Sequence, residues 1–328
     1  MTMSVDDFAP SMDPLLRDAH PVHSVVLSIL GIRTRFSTNS ASVAGLVDEL
    51  RDRWHSGPVD ESPLDELVIR IVVRSGREGG DGRVDVRHIS TPDGRLLIQS
   101  PQSIGIVDPL RHDAIAYVTS ELVADRAHFQ TRVLEAMTFA LLAGHDRHPI
   151  HAAAVGNVDR ALLLAGESGA GKSTLAFLAH THGMPLLSED RVWVGLEPSL
   201  RIWSVPSAVH LRPEALVHFP VLRGPREVAD ATSKVAVDVT SRNARLTEPA
   251  RRAAVCVLAH GGVASLTRLD GPTLVTELQR QTAEGFDRFP DRHTRVLEAI
   301  SEGGGWRLTL SPSANDALPH LKHMLGES

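Results

Sequence analysis

Short runs of alternating apolar and polar residues occupy the first 125 positions of the chain. The stretch Ser24–Phe36 alternates as a strand or a hairpin does, and Leu67–Val73 is rich in β-branched residues, which favour strands. A short helix is predicted over Val43–Trp54. Turns rich in Gly, Asp and Pro separate further predicted strands at Arg83–Ile89, Arg95–Gln99, Ile104–Val107 and Ala114–Val118. Residues 1–125 are therefore predicted to form a small β-rich α+β domain.

The pattern changes after this region. Apolar residues in His128–Ala143 recur with the spacing of a partly buried helix that ends at Gly144, so residues 126–147 are predicted to be a connecting helix. The strands predicted after it are Ile150–Val155, Ala161–Ala165, Leu186–Ser188, Val192–Val194, Ile202–Val205, Ala208–Leu211, Val235–Val239, Ala253–Ala259 and Ser265–Leu269. The helices predicted there are Lys172–His182, Pro272–Gln281, His293–Ser301 and Asn315–Met324. In a chain of 328 residues this alternation predicts a second domain, of the α/β class, over residues 148–328.

Composition and charge exclude several classes of protein. Apolar residues make up 42% of the chain and charged residues 23%, which is typical of a folded globular protein. A net charge of −6 gives no general attraction to nucleic acid or to an anionic membrane. Apolar stretches such as Ala136–Gly144 are far shorter than the ~20 residues that a membrane span needs, and the first residues lack the features of a signal peptide. We therefore expect a cytoplasmic protein that binds neither nucleic acid nor membrane.

The one cysteine, Cys256, lies in the apolar run Ala253–Ala259. A single thiol excludes a disulfide within the chain, which fits a reducing compartment. We expect Cys256 to be a small core residue and not a nucleophile, because buried thiols are usually inert.

A glycine-rich segment, Gly166–Ser173, carries the clearest chemistry and is called the phosphate loop below. It satisfies the pattern G-x-x-x-x-G-K-[ST], in which glycines let backbone N–H groups turn toward phosphate oxygens and the next helix directs its N-terminus at the same anion. Lys172 is placed for the β- and γ-phosphates, and the Ser173 hydroxyl for Mg²⁺. The predicted nucleotide-binding residues are Gly166, Glu167, Ser168, Gly169, Ala170, Gly171, Lys172, Ser173 and Thr174. The segment therefore predicts a site for a nucleoside triphosphate with Mg²⁺.

Two acids, Glu189 and Asp190, follow the predicted strand Leu186–Ser188. If this strand forms a βαβ unit with Ala161–Ala165 and the helix after the phosphate loop, the two strands are parallel and their C-terminal ends are level. The acids would then lie beside the phosphate loop, at the edge where such sheets bind ligands. One carboxylate can hold Mg²⁺, and the other can accept the proton of an attacking hydroxyl.

Histidines recur every third residue just before this region, at His145, His148 and His151. No acid or thiol completes a metal-binding set with them, and Pro149 argues against one helical face, so no metal site is predicted there. We interpret His320 and His323, near the C-terminus, in the same way, as ordinary surface or core histidines.

The order of these motifs resembles a known family of kinases. A His-Ala strand at His151, the loop G-E-S-G-A-G-K-S and the segment Ser188-Glu189-Asp190-Arg191-Val192 together resemble the catalytic domain of HPr kinase/phosphorylase and its HPr-kinase-like relatives. The quoted stretch is His151–Val194, and a looser similarity covers residues 145–325. The resemblance implies a serine-directed kinase that uses ATP and Mg²⁺. It also implies the fold of ATP-dependent phosphoenolpyruvate carboxykinase, a mixed sheet with flanking helices.

The resemblance further implies roles for individual residues. His151 matches the active-site histidine of the family, and Lys172 matches the lysine of its phosphate loop. Glu189 and Asp190 match the paired acids that supply the catalytic base and bind metal, so Ser173 and Asp190 are the predicted metal ligands. Glu189 stands where the family usually has Asp. One extra methylene moves a carboxylate by roughly an ångström, which leaves the division of roles between the two acids open.

A second departure from the family concerns the phosphoacceptor. The signature I-E-V-R-G-x-G is missing, and the nearest region reads Arg201-Ile202-Trp203-Ser204-Val205-Pro206. HPr itself is therefore not the expected acceptor. The similarity fits better the divergent HPr-kinase-like group, whose members resemble kinases for small serine-type metabolites or for serine in precursor peptides. Residues 1–125 match no recognisable substrate domain.

A further cation usually neutralises charge on a transferring phosphoryl group. The candidates are Arg191, Arg201, Arg223, Arg226, Lys234 and Arg251, although a solvated charge is the more common role for such a residue. Lys234 is favoured because it stands between a polar loop and a predicted strand.

Two functions agree with these motifs. The first is an ATP-dependent kinase that phosphorylates a hydroxyl, such as that of serine, in a peptide, a protein or a small molecule. The second is a nucleotide-binding regulator that hydrolyses ATP or GTP slowly and signals to a partner. The family resemblance also implies that a homo-oligomer can form.

Overall fold

The computed structural model describes most of the chain as a mixed α/β protein, the class that the sequence pattern predicts. The residues it describes are 21–54, 66–76, 83–203, 209–219, 228–229, 234–237, 248–282 and 285–326. They form two compact units: the first holds the described residues up to Asp52 and from Glu66 to Leu141, and the second holds Arg53, Trp54 and the described residues from Leu142 onward. Among them, no helix is long and apolar enough to cross a membrane.

The first unit is built on a seven-stranded mixed sheet. Its strands are β1 (His23–Ile29), β2 (Ile32–Thr38), β3 (Leu67–Arg74), β4 (Arg87–Ser90), β5 (Leu96–Gln99), β6 (Ile104–Asp108) and β7 (Asp113–Thr119). They lie in the order β1-β2-β3-β7-β6-β5-β4, in which β3 is parallel to both neighbours and the other pairs are antiparallel. Of the two alternatives predicted at Ser24–Phe36, a strand or a hairpin, the structure has the hairpin β1–β2. Its two-residue turn, Leu30-Gly31, has positive φ at both positions, which suits the twist of a hairpin.

Two helices of this region lie between β2 and β3 in the chain, and the others follow β7. They are α1 (Ala41–Glu49), α2 (Arg51–Trp54), α3 (Ser120–Ala124), α4 (Arg126–Phe129), a π-helical segment over Gln130–Glu135, and α5 (Ala136–Gly144). The Ser40 side chain caps α1 by accepting a hydrogen bond from the Val43 N–H. Helical turns thus follow one another from Arg126 to Gly144, where we predicted a connecting helix over 126–147, and the division between the units falls inside them.

The second unit contains three sheets. Its strands are β8 (His148–His151), β9 (Ala153–Gly156), β10 (Ala161–Ala165), β11 (Leu186–Ser188), β12 (Arg191–Gly195), β13 (Arg201–Trp203), β14 (Val209–Leu211), β15 (Val228–Ala229), β16 (Lys234–Val237), β17 (Ala253–His260), β18 (Ser265–Leu269) and β19 (Gly305–Leu310). Six of them form a mixed sheet in the order β11-β9-β10-β17-β19-β18, and the others form sheets in the orders β13-β12-β8 and β14-β16-β15.

The strands of the second unit differ from the predictions in two places. The single strand predicted at Ile150–Val155 is two strands, because the chain leaves the three-stranded sheet of β8 at Ala152 and enters the six-stranded sheet as β9. The strand β19 was not predicted. The ends of the strands predicted at Ile202–Val205, Ala208–Leu211 and Val235–Val239 lie partly outside the described residues.

Helices cover both faces of the six-stranded sheet. They are α6 (Lys172–Thr181), α7 (Gly271–Arg280), α8 (Pro290–Ser301) and α9 (Leu318–Leu325), with 3₁₀ turns at Pro213–His218 and Ala314–Ala317. The predicted helix Asn315–Met324 is therefore a 3₁₀ turn followed by α9, because Pro319 suits the first turn of a helix and not its interior.

Alternate residues of β10 enter two different cores. Leu162 and Leu164 pack on the face covered by α6 and α9, and Leu163 packs on the face covered by α7 and α8. A strand buried on both faces reads as a continuous apolar run, as residues 161–165 do. Cys256 on the neighbouring β17 is fully buried, so the prediction of a small core residue is confirmed.

The strands β10 and β11, which α6 connects, have the predicted relative direction. Both β10 and β11 are antiparallel to β9, which lies between them, so the two strands run parallel to each other. The C-terminal ends of β10 and β11 therefore meet the same edge of the sheet. This edge carries the phosphate loop and the two acids.

Candidate functional site

The phosphate loop connects β10 directly to α6, which is the strand–loop–helix context that its sequence requires. Gly169 and Gly171 have φ of +89° and +94°, a conformation that L side chains rarely adopt. A Cβ added to Gly166 would lie 2.8 Å from the Cβ of Ala170, whose methyl group is buried. Glu167, Ser168 and Gly169 are exposed at the tip of the loop. The glycines therefore hold a tight loop at the N-terminus of α6, where backbone N–H groups favour an anion.

Lys172 is folded back over this loop. Its side chain is only 7% exposed, and its ammonium donates to the carbonyl oxygens of Gly166 at 2.7 Å and Glu167 at 3.3 Å. Burial lowers the pKa of Lys172, and the negative charges of Asp190 and Glu189 oppose this shift. The lysine is thus positioned beside the loop, with the two acids within electrostatic range.

Glu189 is the acid that contacts the phosphate loop. It is 6% exposed, and its Oε1 accepts hydrogen bonds from the Ser173 hydroxyl at 3.0 Å and from the His210 N–H at 3.3 Å. Its Oε2 lies 3.4 Å from Nδ1 of His210. The carboxylate reaches this position because residues 189 and 190 form the turn at which the chain passes from β11 to β12, closed by a hydrogen bond from the Ser188 hydroxyl to the Arg191 carbonyl.

Asp190 has a different partner. Its Oδ1 lies 3.3 Å from Nε2 of His151, and its side chain is 58% exposed. The contact follows from the register of β8 and β12, which pairs His151 with Arg191. The hydrogen bond from His151 lowers the pKa of Asp190, and the charges of Arg191 and Lys172 lower it further against the effect of burial. Asp190 is therefore held as a carboxylate.

The two acids thus have separate neighbourhoods. Asp190 and Ser173 were the predicted metal ligands, but the carboxylate that contacts the Ser173 hydroxyl belongs to Glu189. A serine hydroxyl beside a carboxylate suits Mg²⁺, which usually takes one or two carboxylates and completes its shell with phosphates and water. Asp190 instead contacts His151, and the Asp190 side chain is 58% exposed whereas that of His151 is 19% exposed.

Arg212, which the sequence reasoning missed, lies against the tip of the phosphate loop. A Cβ added to Gly169 would lie 3.4 Å from one guanidinium nitrogen of Arg212. Arg212 follows β14 directly, and no ion-pair partner for it is found in the described part of the chain. No local motif marks it, since its position depends on the packing of β14 against α6 and on the hydrogen bond from the His210 N–H to Glu189. A guanidinium at this point can neutralise phosphate charge.

The predicted cations have different surroundings. Lys234 begins β16, and its positive charge acts on Lys172 and lowers the pKa of that residue, so it lies within electrostatic range of the loop. Arg191 stacks on Phe286, with its guanidinium carbon 5.2 Å from the ring centre. Arg201 and Arg251 donate to local partners, Ser199 and Glu248 respectively. The other two, Arg223 and Arg226, lie outside the described residues.

His260 is a second residue that was missed. Its Nε2 lies 3.2 Å from the Gly169 carbonyl oxygen, at the C-terminal end of β17, which is the parallel neighbour of β10. His260 could have been identified from its place after a predicted strand, because the ends of adjacent parallel strands lie at one edge of a sheet. No group of three or more His, Cys, Asp or Glu that could hold a metal ion is found in the described ranges.

Comparison with the models of known protein families finds no match to this chain. Comparison with curated protein sequences finds no match either.

Proposed function

We propose that the protein is an ATP-dependent kinase that transfers the γ-phosphate to a hydroxyl group, of the serine type, on an acceptor other than HPr. The observation that carries this proposal is the pairing of two acids with two partners at one sheet edge. Glu189 contacts Ser173 of the phosphate loop, and Asp190 contacts His151. One acid is thus available to the nucleotide and the other to an acceptor.

The phosphate end of the site would neutralise the charge of ATP. Backbone N–H groups at the start of α6, the Lys172 ammonium and the Arg212 guanidinium all lie at the loop. Ser173 and Glu189 would hold Mg²⁺, which shields the phosphates and draws charge from the leaving oxygen when it is bound. When ATP binds, the Lys172 ammonium would leave the carbonyl oxygens of Gly166 and Glu167 and donate to phosphate oxygens instead.

The acceptor end would orient the hydroxyl. Asp190 accepts its hydrogen bond, and His151, which is partly buried, holds the Asp190 carboxylate in place. The hydroxyl oxygen forms a bond to the γ-phosphorus while the bond from phosphorus to the β–γ bridging oxygen breaks. ADP leaves, and the hydroxyl proton passes to Asp190 and then to solvent. The depressed pKa of Asp190 suits a transfer in which the proton moves late.

The fold supports the same proposal at a coarser level. A six-stranded mixed sheet with helices on both faces carries the phosphate loop between β10 and α6. We propose that this unit has the HPr kinase/phosphoenolpyruvate carboxykinase type of fold, and that the protein acts in the cytoplasm.

A label-transfer assay tests the function. The protein is incubated with γ-labelled ATP, Mg²⁺ and hydroxyl compounds that include free serine, N-acylated serine and seryl peptides. We expect label on an acceptor with the wild type and none with Lys172→Ala. Asp190→Asn is expected to lose at least 100-fold in transfer rate, within the range attributed to a positioned acid–base group. Asp159→Asn is the matched control, because Asp159 is an exposed acid at the opposite end of β10. ATP hydrolysis with no labelled acceptor would favour the regulator instead.

A further inference from the structure

The short strand β14 packs one face against the core and turns the other toward the phosphate loop. Val209 and Leu211 are buried in the apolar cluster that includes α6. Successive side chains of a strand point to opposite faces, so the side chain between them, His210, points away from that core. It lies against the carboxylate of Glu189 and is 37% exposed. The packing of β14 on α6 therefore fixes where this imidazole stands.

His210 holds both oxygens of the Glu189 carboxylate. Its backbone N–H donates to Oε1 at 3.3 Å, and its Nδ1 lies 3.4 Å from Oε2. A carboxylate has only acceptor atoms, so the hydrogen in the second contact belongs to the imidazole. Rotation of the carboxylate about its last side-chain bond would lengthen at least one of these two contacts. One residue thus fixes the orientation of the acid.

The orientation of Glu189 in turn directs the hydroxyl of Ser173. This hydroxyl donates to Oε1 of Glu189 at 3.0 Å. A serine hydroxyl has one hydrogen and two lone pairs, and with the hydrogen directed at the acid the lone pairs are left for a cation. A chain of contacts therefore runs from β14 through Glu189 to the first helical turn after the phosphate loop.

We propose that His210 is a positioning residue for Mg²⁺, which acts through Glu189 and touches neither the metal nor the nucleotide. The proposal rests on the nucleotide and Mg²⁺ part of the proposed function. Groups that hydrogen-bond to metal ligands orient those ligands, and their loss typically lowers metal affinity by about 10- to 100-fold. The backbone N–H of His210 stays in any side-chain variant, so the imidazole accounts for the lower end of this range.

Nucleotide affinity with and without Mg²⁺ tests this role. Titration calorimetry measures the affinity of a non-hydrolysable ATP analogue in Mg²⁺ and in EDTA, and the ratio of the two affinities reports the contribution of the metal. We expect His210→Ala to lower this ratio by about 10-fold and to leave the affinity in EDTA unchanged. His218→Ala is the matched control and keeps the wild-type ratio, because His218 lies on the same segment and its ring meets Phe219.

Two amide variants separate positioning from packing. Asparagine can place its NH₂ where histidine carries Nδ1, whereas the NH₂ of glutamine reaches the place of Nε2. We therefore expect His210→Asn to keep most of the wild-type ratio and His210→Gln to show the loss seen with alanine. Equal ratios in the two amide variants, or an affinity that falls equally in Mg²⁺ and in EDTA, would overturn the role of His210.

The label-transfer assay keeps this role apart from the kinase function, because the binding measurement needs no acceptor. The expected affinity ratios together with no labelled acceptor would support the role of His210 and overturn the kinase. Label transfer by the wild type together with a wild-type ratio in His210→Ala would support the kinase and overturn the role of His210.

Discussion

Replacing Glu189 with glutamine separates its charge from its shape. In the wild type, Oε1 of Glu189 accepts from the Ser173 hydroxyl and from the His210 N–H, while Oε2 faces Nδ1 of His210. The glutamine amide oxygen can keep the first two bonds, and its NH₂ can donate to the imidazole. We therefore expect the free energy of unfolding to change by less than about 1 kcal/mol. Glu189→Ala would instead leave the part-buried Ser173 hydroxyl and His210 N–H without their acceptor and cost about 1–3 kcal/mol.

The charge itself is expected to act on Mg²⁺. Loss of one charge-assisted contact costs about 1.5–3 kcal/mol, which corresponds to a 10- to 150-fold weaker affinity for Mg·ATP. Titration calorimetry with a non-hydrolysable ATP analogue, in Mg²⁺ and in EDTA, measures this effect. We expect Glu189→Gln to weaken binding in Mg²⁺ only, because in EDTA the lost carboxylate would only have repelled the phosphates. Glu302→Gln, at an exposed position, is the control. Equal weakening in both buffers would refute the assignment of Glu189 to the metal.

Three further predictions concern other parts of the second unit. Arg212→Gln is expected to weaken ATP affinity by about 10-fold, the value of one charged contact, whereas the exposed control Arg295→Gln leaves calorimetric affinity unchanged. The Cys256 thiol, whose pKa burial raises to about 12, should react with a thiol reagent at neutral pH only at the rate of unfolding; rapid labelling of the native protein would contradict this. Because the folded pKa of Asp190 lies below the unfolded value of about 3.9, its pair with His151 stabilises the fold above that pH and is lost as pH falls through the folded pKa. The difference in free energy of unfolding between wild type and Asp190→Asn, measured with urea, should therefore shrink toward low pH. A difference that stays constant with pH would show that the pair does not stabilise the fold.

Local patterns explain why the phosphate loop was predictable. Its glycines, lysine and serine lie within eight consecutive positions, and a fully apolar strand and a largely buried helix flank them. The positive φ of Gly169 and Gly171 and the buried methyl of Ala170 are properties of this short segment alone. The direction of β11 also followed from a general rule for strand–helix–strand units.

Long-range pairing explains what could not be predicted. The apolar run Ile150–Val155 gives no sign that the chain changes sheets at Ala152, yet this change brings His151 opposite Arg191 and beside Asp190. Arg212 reaches the loop because β14 packs against α6 and is bonded to Glu189 through the His210 N–H, although these residues are distant in sequence. The strand β19 follows a glycine-rich turn and carries Trp306 and Arg307, so its apolar pattern is weak. The division of partners between Glu189 and Asp190 depends on the turn between two sheets, which no motif describes.

The fate of the γ-phosphate tests the central claim most directly. ³¹P NMR can follow the protein with ATP, Mg²⁺ and a seryl peptide, and can distinguish a phosphomonoester from inorganic phosphate. We expect a phosphomonoester signal that grows with ADP in the wild type and that is absent in Lys172→Ala. If ADP is matched by inorganic phosphate alone, with every seryl acceptor supplied, the protein hydrolyses ATP without a phosphoacceptor and the kinase account is wrong.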